Sequence, residues 1–205
     1  MIVLVLSPHT DDGELAAGGT IARLAREGNE IIYVAFSYCE DTIPDNLPAS
    51  ILKDECKKAL AVLGVSKTIF LNFKVREFLA VRQKILDTMV RLKKDIGPSL
   101  VLSPSSFDTH QDHQVIYNEC VRAFKKSASI WGMEHPLNNL SFRTDIFVTL
   151  TREDLNKKIT ALKFYKSQES RPYFEEGYIK SVVRMHGMNV NTEFAEVFEC
   201  IRLVK

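Results

Sequence analysis

The chain has 205 residues, of which 45% are hydrophobic and 26% charged, and this composition predicts a soluble globular protein with a sizeable core. A formal net charge of +1 gives no electrostatic reason to expect nucleic acid or an anionic membrane surface as the main partner. The four cysteines are widely spread, and the first apolar run is five residues, too short for a signal peptide or a membrane span. We therefore expect a cytoplasmic protein with reduced thiols and no membrane insertion.

The first 127 residues alternate apolar runs with amphipathic segments. Strands are predicted at 2–6, 30–36, 67–73 and 99–104, and helices at 14–28, 49–65, 81–97 and 111–127. The first three helices end at Gly28, Gly64 and Gly97, which are favourable C-terminal caps. Such alternation predicts an α/β protein with a parallel sheet and helices on both faces, because right-handed crossovers place them there.

The pattern loosens after residue 128. It predicts strands at 129–135 and 145–150, a helix at 152–168 and a last strand at 194–204. Thr151-x-x-Asp154 is a capping-box pattern at the start of that helix. Because the chain contains no repeat, low-complexity segment or linker, we expect a single domain over residues 1–205. The sequence leaves the oligomeric state open, and a homo-oligomer is compatible with it.

Two predicted strand ends carry unusual polar residues. "SPHTDDGELAAGGT" (7–20) follows the first strand and contains His9-x-x-Asp12, and "SPSSFDTHQDH" (103–113) follows the fourth and contains His110-x-x-His113. Ligands bind open α/β sheets beyond the carboxyl ends of the strands, and strands one and four are commonly neighbours. Two histidines and one carboxylate form a frequent ligand set for catalytic zinc, with the fourth position left to water. The pair Asp11-Asp12 could then supply one ligand and one general base.

Simpler explanations exist for each cluster alone. Two aspartates at a strand–helix junction often cap the helix, and a histidine pair in a loop is often solvated surface. The joint occurrence of both clusters at the carboxyl ends of buried strands favours the metal site over these alternatives.

The same residues resemble a known family. "PHTDDGELAAGGTIA" (8–22), followed by "DTHQDH" (108–113), is similar to the motifs of the LmbE-like (PIG-L type) zinc N-deacetylases, roughly His-Pro-Asp-Asp-x-Glu and His-x-Asp-His. Weaker similarities extend over nearly the whole chain: "ECKKALAVLGV" (55–65), "WGMEHPLNN" (131–139), "KKITALKFYKSQ" (157–168) and "FAEVF" (194–198). The resemblance implies a three-layer Rossmann-like fold, one zinc ion per chain and removal of an N-acyl group, usually acetyl, from an amino sugar or glycoconjugate.

The resemblance also implies roles for individual residues. Carried over by position, the zinc ligands are His9, Asp12 and His113. Asp11 is the expected general base. His110 is expected to stabilise the oxyanion or protonate the leaving amine, and Asp112 to orient His110, as carboxylates beside metal sites often do.

The substrate contacts are less well defined by the sequence. Lys53 lies near a position where the family often has an arginine, and lysine cannot make the planar bidentate contact of a guanidinium. Trp131 and Glu134 are candidates to shape the sugar site, although a core role is equally compatible with the tryptophan. The polar loop at 36–48 is a candidate lid, with an ordinary surface loop as the alternative.

Three further residues depart from the family pattern or lack a partner motif. Tyr165 stands where histidine is frequent in the family. His135 and His186 lie outside both metal motifs, so the predicted metal site excludes them.

Two rival functions follow from the same sequence. One is an α/β module that binds a nucleotide or small ligand without hydrolysis. "GGT" (18–20) speaks against it, because these glycines lie inside the first helix, where packing on the sheet explains them. The other is a zinc amidase that acts on an N-acyl substrate that is not a sugar.

Overall fold

The computed structural model describes residues 1–40, 43 and 47–204. Within these residues seven strands form one sheet in the order β3-β2-β1-β4-β5-β7-β6. The strands are β1 Ile2–Ser7, β2 Glu30–Ala35, β3 Lys67–Phe70, β4 Leu100–Pro104, β5 Ser129–Met133, β6 Ile146–Leu150 and β7 Phe194–Arg202. Strands β1 to β5 are parallel, and β7 runs antiparallel to β5 and β6. The predicted α/β class with a mostly parallel sheet is confirmed.

Helices cover both faces of the sheet. They are α1 Asp12–Arg26, α2 Ile51–Leu63, α3 Arg82–Ile96, α4 Gln111–Phe124, α5 Arg152–Leu162 and α6 Glu176–Met188. Alternate residues of β1 enter two separate cores: Val3 and Val5 pack with α1, α2, α5 and α6, whereas Leu4 and Leu6 pack with α3 and α4. Among the described residues, no helix combines the length and the apolar character needed to cross a bilayer.

The C-terminal part differs from the sequence-based expectation in two places. The helix predicted at 152–168 ends at Leu162, and the chain continues through short 3₁₀ turns at Lys166–Gln168 and Pro172–Phe174. Helix α6 lies in a region where the pattern predicted no element. Its glycines, Gly177 and Gly187, lower helix propensity, and only a few of its positions are buried, so its apolar periodicity is weak.

Helix α1 is interrupted at Ala17, where the backbone leaves helical geometry. The backbone N–H groups of Gly19 and Thr20 donate to the Glu196 carboxylate of β7 at 3.0 and 2.6 Å, and the Lys158 ammonium of α5 contacts the same carboxylate at 2.6 Å. A Cβ atom on Gly19 would lie 2.4 Å from Leu150 Cδ1. The expectation that "GGT" serves close packing of this helix is therefore confirmed.

The buried ion pair leads to a stability prediction. Lys158→Met leaves the buried Glu196 carboxylate without its counter-charge, so we expect the free energy of unfolding to fall by about 3–5 kcal/mol. Lys157→Met is the matched control, because Lys157 pairs with Glu153 near the surface, where such a pair contributes less than about 1 kcal/mol. Urea denaturation measures both variants, and equal losses would contradict the prediction.

Candidate metal centre

The pairing of β1 with β4 brings the two polar clusters together. Val3, Leu4 and Val5 pair in parallel with Leu100, Val101 and Leu102, so both strands end at the same edge of the sheet. Beyond these ends α1 begins at Asp12 and α4 begins at Gln111. The N-termini of the two helices point their free amides and positive dipole ends toward this edge, which stabilises carboxylates there.

Three buried side chains present ligand atoms to one point. Asp12 Oδ2 lies 3.1 Å from His9 Nδ1 and 3.1 Å from His113 Nε2. A tetrahedral zinc ion with bonds of about 2.0–2.1 Å requires ligand atoms roughly 3.3 Å apart. The His9 backbone N–H donates to the same Asp12 oxygen at 2.8 Å, which fixes the carboxylate. The residues present therefore fit a divalent metal.

Each of the two histidines has a carboxylate on its other ring nitrogen. Asp108 Oδ2 lies 2.7 Å from His113 Nδ1, and Asp112 Oδ2 lies 3.1 Å from His9 Nε2. Carboxylates in this position fix the tautomer and orientation of metal-binding histidines. The sequence analysis missed Asp108, although the residue opens the quoted motif "DTHQDH".

Asp112 contacts a different histidine from the one that the resemblance implies. Its carboxylate reaches His9 and also accepts from the Arg76 backbone N–H at 2.8 Å. The contact with His110 comes instead from the Asp112 backbone N–H, which donates to His110 Nδ1 at 3.1 Å. The reason is geometric, since His110 is the N-cap of α4 and its ring folds back over the free amides of the first turn.

The ligand residues form a tightly balanced charge cluster. Burial lowers the pKa of His113, but the charge of Asp12 and hydrogen bonds from Asp108 and Asp12 raise it to about 10. For His9 the effect of burial is likewise outweighed by Asp12 and Asp112, and the pKa rises to about 9. Burial would raise the pKa of Asp12, yet the charges of His113 and His9 hold it well below its usual range.

His110 is held as a neutral hydrogen-bond donor. Because its Nδ1 accepts from the Asp112 backbone N–H, the proton of the neutral ring lies on Nε2. Burial, followed by the charges of His113 and His9, lowers the pKa of His110 and favours this neutral form.

Asp11 stands at the N-cap position of α1 without capping it. Its side chain makes no capping hydrogen bond, so the simpler explanation from helix capping does not account for this residue. Burial and the charge of Asp12 raise the pKa of Asp11. Asp11 lines a cavity of about 320 Å³ together with the three candidate ligands and His110.

Of the three predicted substrate residues, Glu134 is on the cavity wall, whereas Lys53 and Trp131 are not among the described residues of that wall. The Lys53 ammonium lies 5.0 Å from the ring centroid of Tyr38, where a cation–π contact holds it. The Trp131 ring packs on Phe198 of β7 at 5.6 Å, so this tryptophan belongs to the core. The candidate lid at 36–48 includes residues 41, 42 and 44–46, which lie outside the described residues.

Two histidines that the sequence analysis excluded from the metal site line the same cavity. His135 Nε2 donates to the Asp12 carbonyl oxygen at 3.1 Å, and its Nδ1 lies 3.4 Å from Asp108 Oδ2. His186 of α6 places Nε2 2.7 Å from Glu134 Oε2. No motif spacing could reveal these contacts, because His135 follows β5 and His186 belongs to the unpredicted helix.

A buried hydrogen-bond network supports the loop that carries the aspartates. The Tyr165 hydroxyl contacts both the Thr10 carbonyl oxygen and Glu14 Oε1, the latter at 2.6 Å, and the Tyr33 hydroxyl contacts Glu14 Oε2. Burial raises the pKa of Glu14 to about 8, although the hydrogen bonds with Tyr165 and Tyr33 act to lower it. A phenol has only one proton to donate, so a proton on Glu14 allows both contacts of Tyr165 to form.

Comparisons with known proteins match these observations. Residues 4–124 match the family model described as PIG-L, GlcNAc-PI de-N-acetylase. The chain is 32% identical over 173 residues to the uncharacterized deacetylase YaiS of Escherichia coli K12, covering 80% of this chain and 90% of that protein. It is 24% identical over 217 residues to the diacetylchitobiose deacetylase of Thermococcus kodakarensis, covering 95% of this chain and 80% of that protein.

A solved structure confirms the fold. The crystal structure of GalB, the 4-carboxy-2-hydroxymuconate hydratase from Pseudomonas putida KT2440, has a TM-score of 0.83 to this chain at 20% identity. The match covers 100% of this chain and 98% of that chain. At this identity the similarity shows the fold alone, since one fold hosts different chemistries.

The network around Glu14 leads to a second stability prediction. Tyr165→Phe removes the hydroxyl that contacts Thr10 and Glu14, so two buried polar groups lose their partner and the free energy of unfolding should fall by about 1–3 kcal/mol. Tyr38→Phe is the control, because Tyr38 is half-buried and outside this network, and its effect should stay within about 0.5 kcal/mol. Chemical denaturation measures both, and an unchanged Tyr165→Phe variant would show that the network adds no stability.

Proposed function

The chain belongs to the PIG-L (GlcNAc-PI de-N-acetylase) family and is a metal-dependent N-deacetylase, and from this premise we propose that it uses zinc to remove acetyl groups from N-acetylated amino sugars or glycoconjugates. One observation carries the proposal: His9, Asp12 and His113 converge on the wall of a cavity that Asp11 and His110 also line.

His9 Nδ1, Asp12 Oδ2 and His113 Nε2 would hold the metal. A zinc ion bound there supplies a Lewis acid, which polarises the amide carbonyl and makes a water molecule a better nucleophile near neutral pH. The Asp108 and Asp112 carboxylates keep the two imidazole rings in the orientation that presents these nitrogens. The set of two nitrogens and one carboxylate is typical of catalytic zinc, and this favours zinc over other divalent ions.

Asp11 and His110 are placed to move the protons of amide hydrolysis. Asp11 takes a proton from the attacking water, whose oxygen adds to the carbonyl carbon. The His110 Nε2–H donates to the oxyanion that forms, which is the usual role of a preorganised donor. The carbon–nitrogen bond then breaks, and the proton held by Asp11 passes to the leaving nitrogen, which gives a carboxylic acid and an amine. The acid then gives its proton to the amine, so a carboxylate and a protonated amine remain.

The cavity supports a small glycan or glycoconjugate as substrate. Its volume of about 320 Å³ lies at the lower end of the roughly 300–1,000 Å³ that small-molecule sites occupy. Polar side chains that can bind sugar hydroxyls, Glu134, Asn138 and Tyr173, stand on its wall. The relative from Thermococcus kodakarensis, named for deacetylation of diacetylchitobiose, supports the same substrate class.

The role of Asp11 can be tested directly. Asp11→Asn removes the general base but leaves the three ligands, so kcat for an N-acetylated amino sugar should fall about 10²–10⁴-fold while the metal content stays at one ion per chain. Elemental analysis and steady-state kinetics measure the two quantities on the same protein. Asp95→Asn, an exposed acid on α3, should change neither, and full turnover by Asp11→Asn would exclude the proposed base.

The metal can be tested by removal and replacement. Dialysis against a chelator should abolish deacetylation, and one equivalent of zinc should restore it, because the three ligands alone provide no Lewis acid. His113→Ala should lower zinc affinity by tenfold or more, because it removes one of the three candidate ligands. Metal-free protein that deacetylates at the full rate would contradict the proposed function.

A further inference from the structure

The cavity that the candidate metal ligands line also has an apolar part of its wall, to which the proposed deacetylation gives no role. Helix α6 turns one face toward it, with residues 178, 179, 182, 183 and 186 on the cavity wall. We call this apolar part of the wall the deep chamber and define it by Ala16, Ile179, Val182, Val183 and Val197. All five side chains are apolar, and all but the half-buried Val182 are buried.

The deep chamber adjoins the predicted reaction centre directly. Ala16 lies four residues after Asp12 on the same face of α1, before the interruption at Ala17. At 1.5 Å per residue, Ala16 is about 6 Å along the helix axis from the metal ligand. An acetyl methyl extends only about 1.5 Å beyond its carbonyl carbon, whereas three bonds of an extended chain reach about 3.8 Å. A longer acyl chain can therefore make more contact with this apolar wall than an acetyl group can.

A second part of the cavity wall, which we call the outer end, is exposed to solvent. Arg76, Leu137 and Arg171 line it and are exposed to solvent, with Asn138 and Tyr173 half-buried beside them. The several hydroxyls of a sugar ring need water or polar partners, which this outer end provides. The sugar is therefore expected at the outer end, and the acyl group of the amide points inward.

The polar groups around the deep chamber are largely paired with one another. Glu196 is bound by Lys158 and by two backbone amides, and Glu134 Oε2 is bound by His186 Nε2. Among the buried side chains that α6 adds to the wall, His186 Nδ1 is the polar atom left without a hydrogen-bond partner. A single polar atom cannot form hydrogen bonds with the several hydroxyls of a sugar ring. An aliphatic chain needs no such partners and can lie beside it.

We propose that the deep chamber is an acyl-chain subsite, and that the enzyme hydrolyses N-propionyl and N-butyryl amino sugars at least as efficiently as N-acetyl ones. The inference rests on the proposed function, because the same water attacks the same amide carbonyl. The carbon–nitrogen bond breaks as before, and the products are propionate or butyrate and the free amine. The apolar wall gives the longer chains additional binding.

The first test compares chain lengths. We expect kcat/KM to rise by up to about fourfold per added methylene from N-acetyl- to N-butyrylglucosamine, as burial of one methylene predicts. A value for the butyryl substrate below that for the acetyl substrate would overturn the subsite. Turnover of neither substrate by zinc-loaded protein would count against the proposed deacetylation instead.

A second test needs no turnover, and it distinguishes failure of the acyl-chain subsite from failure of the proposed deacetylation. The product acids bind where the acyl group lies, so butyrate should bind the zinc-loaded protein about fifteenfold more tightly than acetate, measured by calorimetric titration. This preference would support the subsite even if no amino sugar were hydrolysed. Equal affinities of acetate and butyrate would overturn it.

Variants of α6 locate the effect. Val182→Phe and Ile179→Phe fill the deep chamber and should each lower the ratio of butyrate to acetate affinity by tenfold or more. The half-buried Val182 position tolerates the larger ring if Ile179→Phe fails to fold. Met185→Phe is the matched control, because Met185 is on the exposed side of α6 and should leave the ratio unchanged. An unchanged ratio in folded Val182→Phe would overturn the assignment.

Discussion

The candidate metal centre depends on one constraint, the pairing of β1 with β4 in the middle of the sheet. The chain builds β2 and β3 on one side of β1 and then crosses over to place β4 on the other side. Clusters that are about a hundred residues apart in the sequence thus meet beyond adjacent strand ends, and Asp12 lies 3.1 Å from His113. A change of strand order would separate the ligands even if every helix kept its place.

Helix α1 transmits this constraint to the rest of the protein. Its first residue, Asp12, is a candidate ligand, and one turn later Ala16 borders the deep chamber. Where the helix is interrupted, Glu196 binds the freed amides and Lys158 neutralises the carboxylate. The buried ion pair therefore fixes the position of α1 relative to β7 and α5, and with it the distance between the metal centre and α6.

The sequence predicted the parts of the site that local pattern encodes. The proximity of His9, Asp12 and His113 could be predicted because two short motifs follow buried strands, and the capping box at Thr151 and Asp154 is local in the same sense. The contacts of Asp108, Asp112 and His135 depend on how side chains pack across separate loops, which spacing does not determine. Lys53 and Trp131 were predicted to contact the substrate, but neither is on the described cavity wall. Their side chains pack instead on the aromatic rings of Tyr38 and Phe198.

The sequence pattern did not predict helix α6. This helix nevertheless contributes most of the residues that define the deep chamber. The fold alone leaves specificity open, since a hydratase has the same architecture at a TM-score of 0.83. The candidate metal motifs lie at the sheet edge that the fold provides, whereas three of the five residues of the deep chamber, Ile179, Val182 and Val183, belong to one helix. Helix α6 packs on β7 through buried residues such as Ile179 and Val183, and its His186 contacts Glu134. In the proposed acyl-chain subsite, the residues that select the acyl group are therefore different from those that carry out hydrolysis.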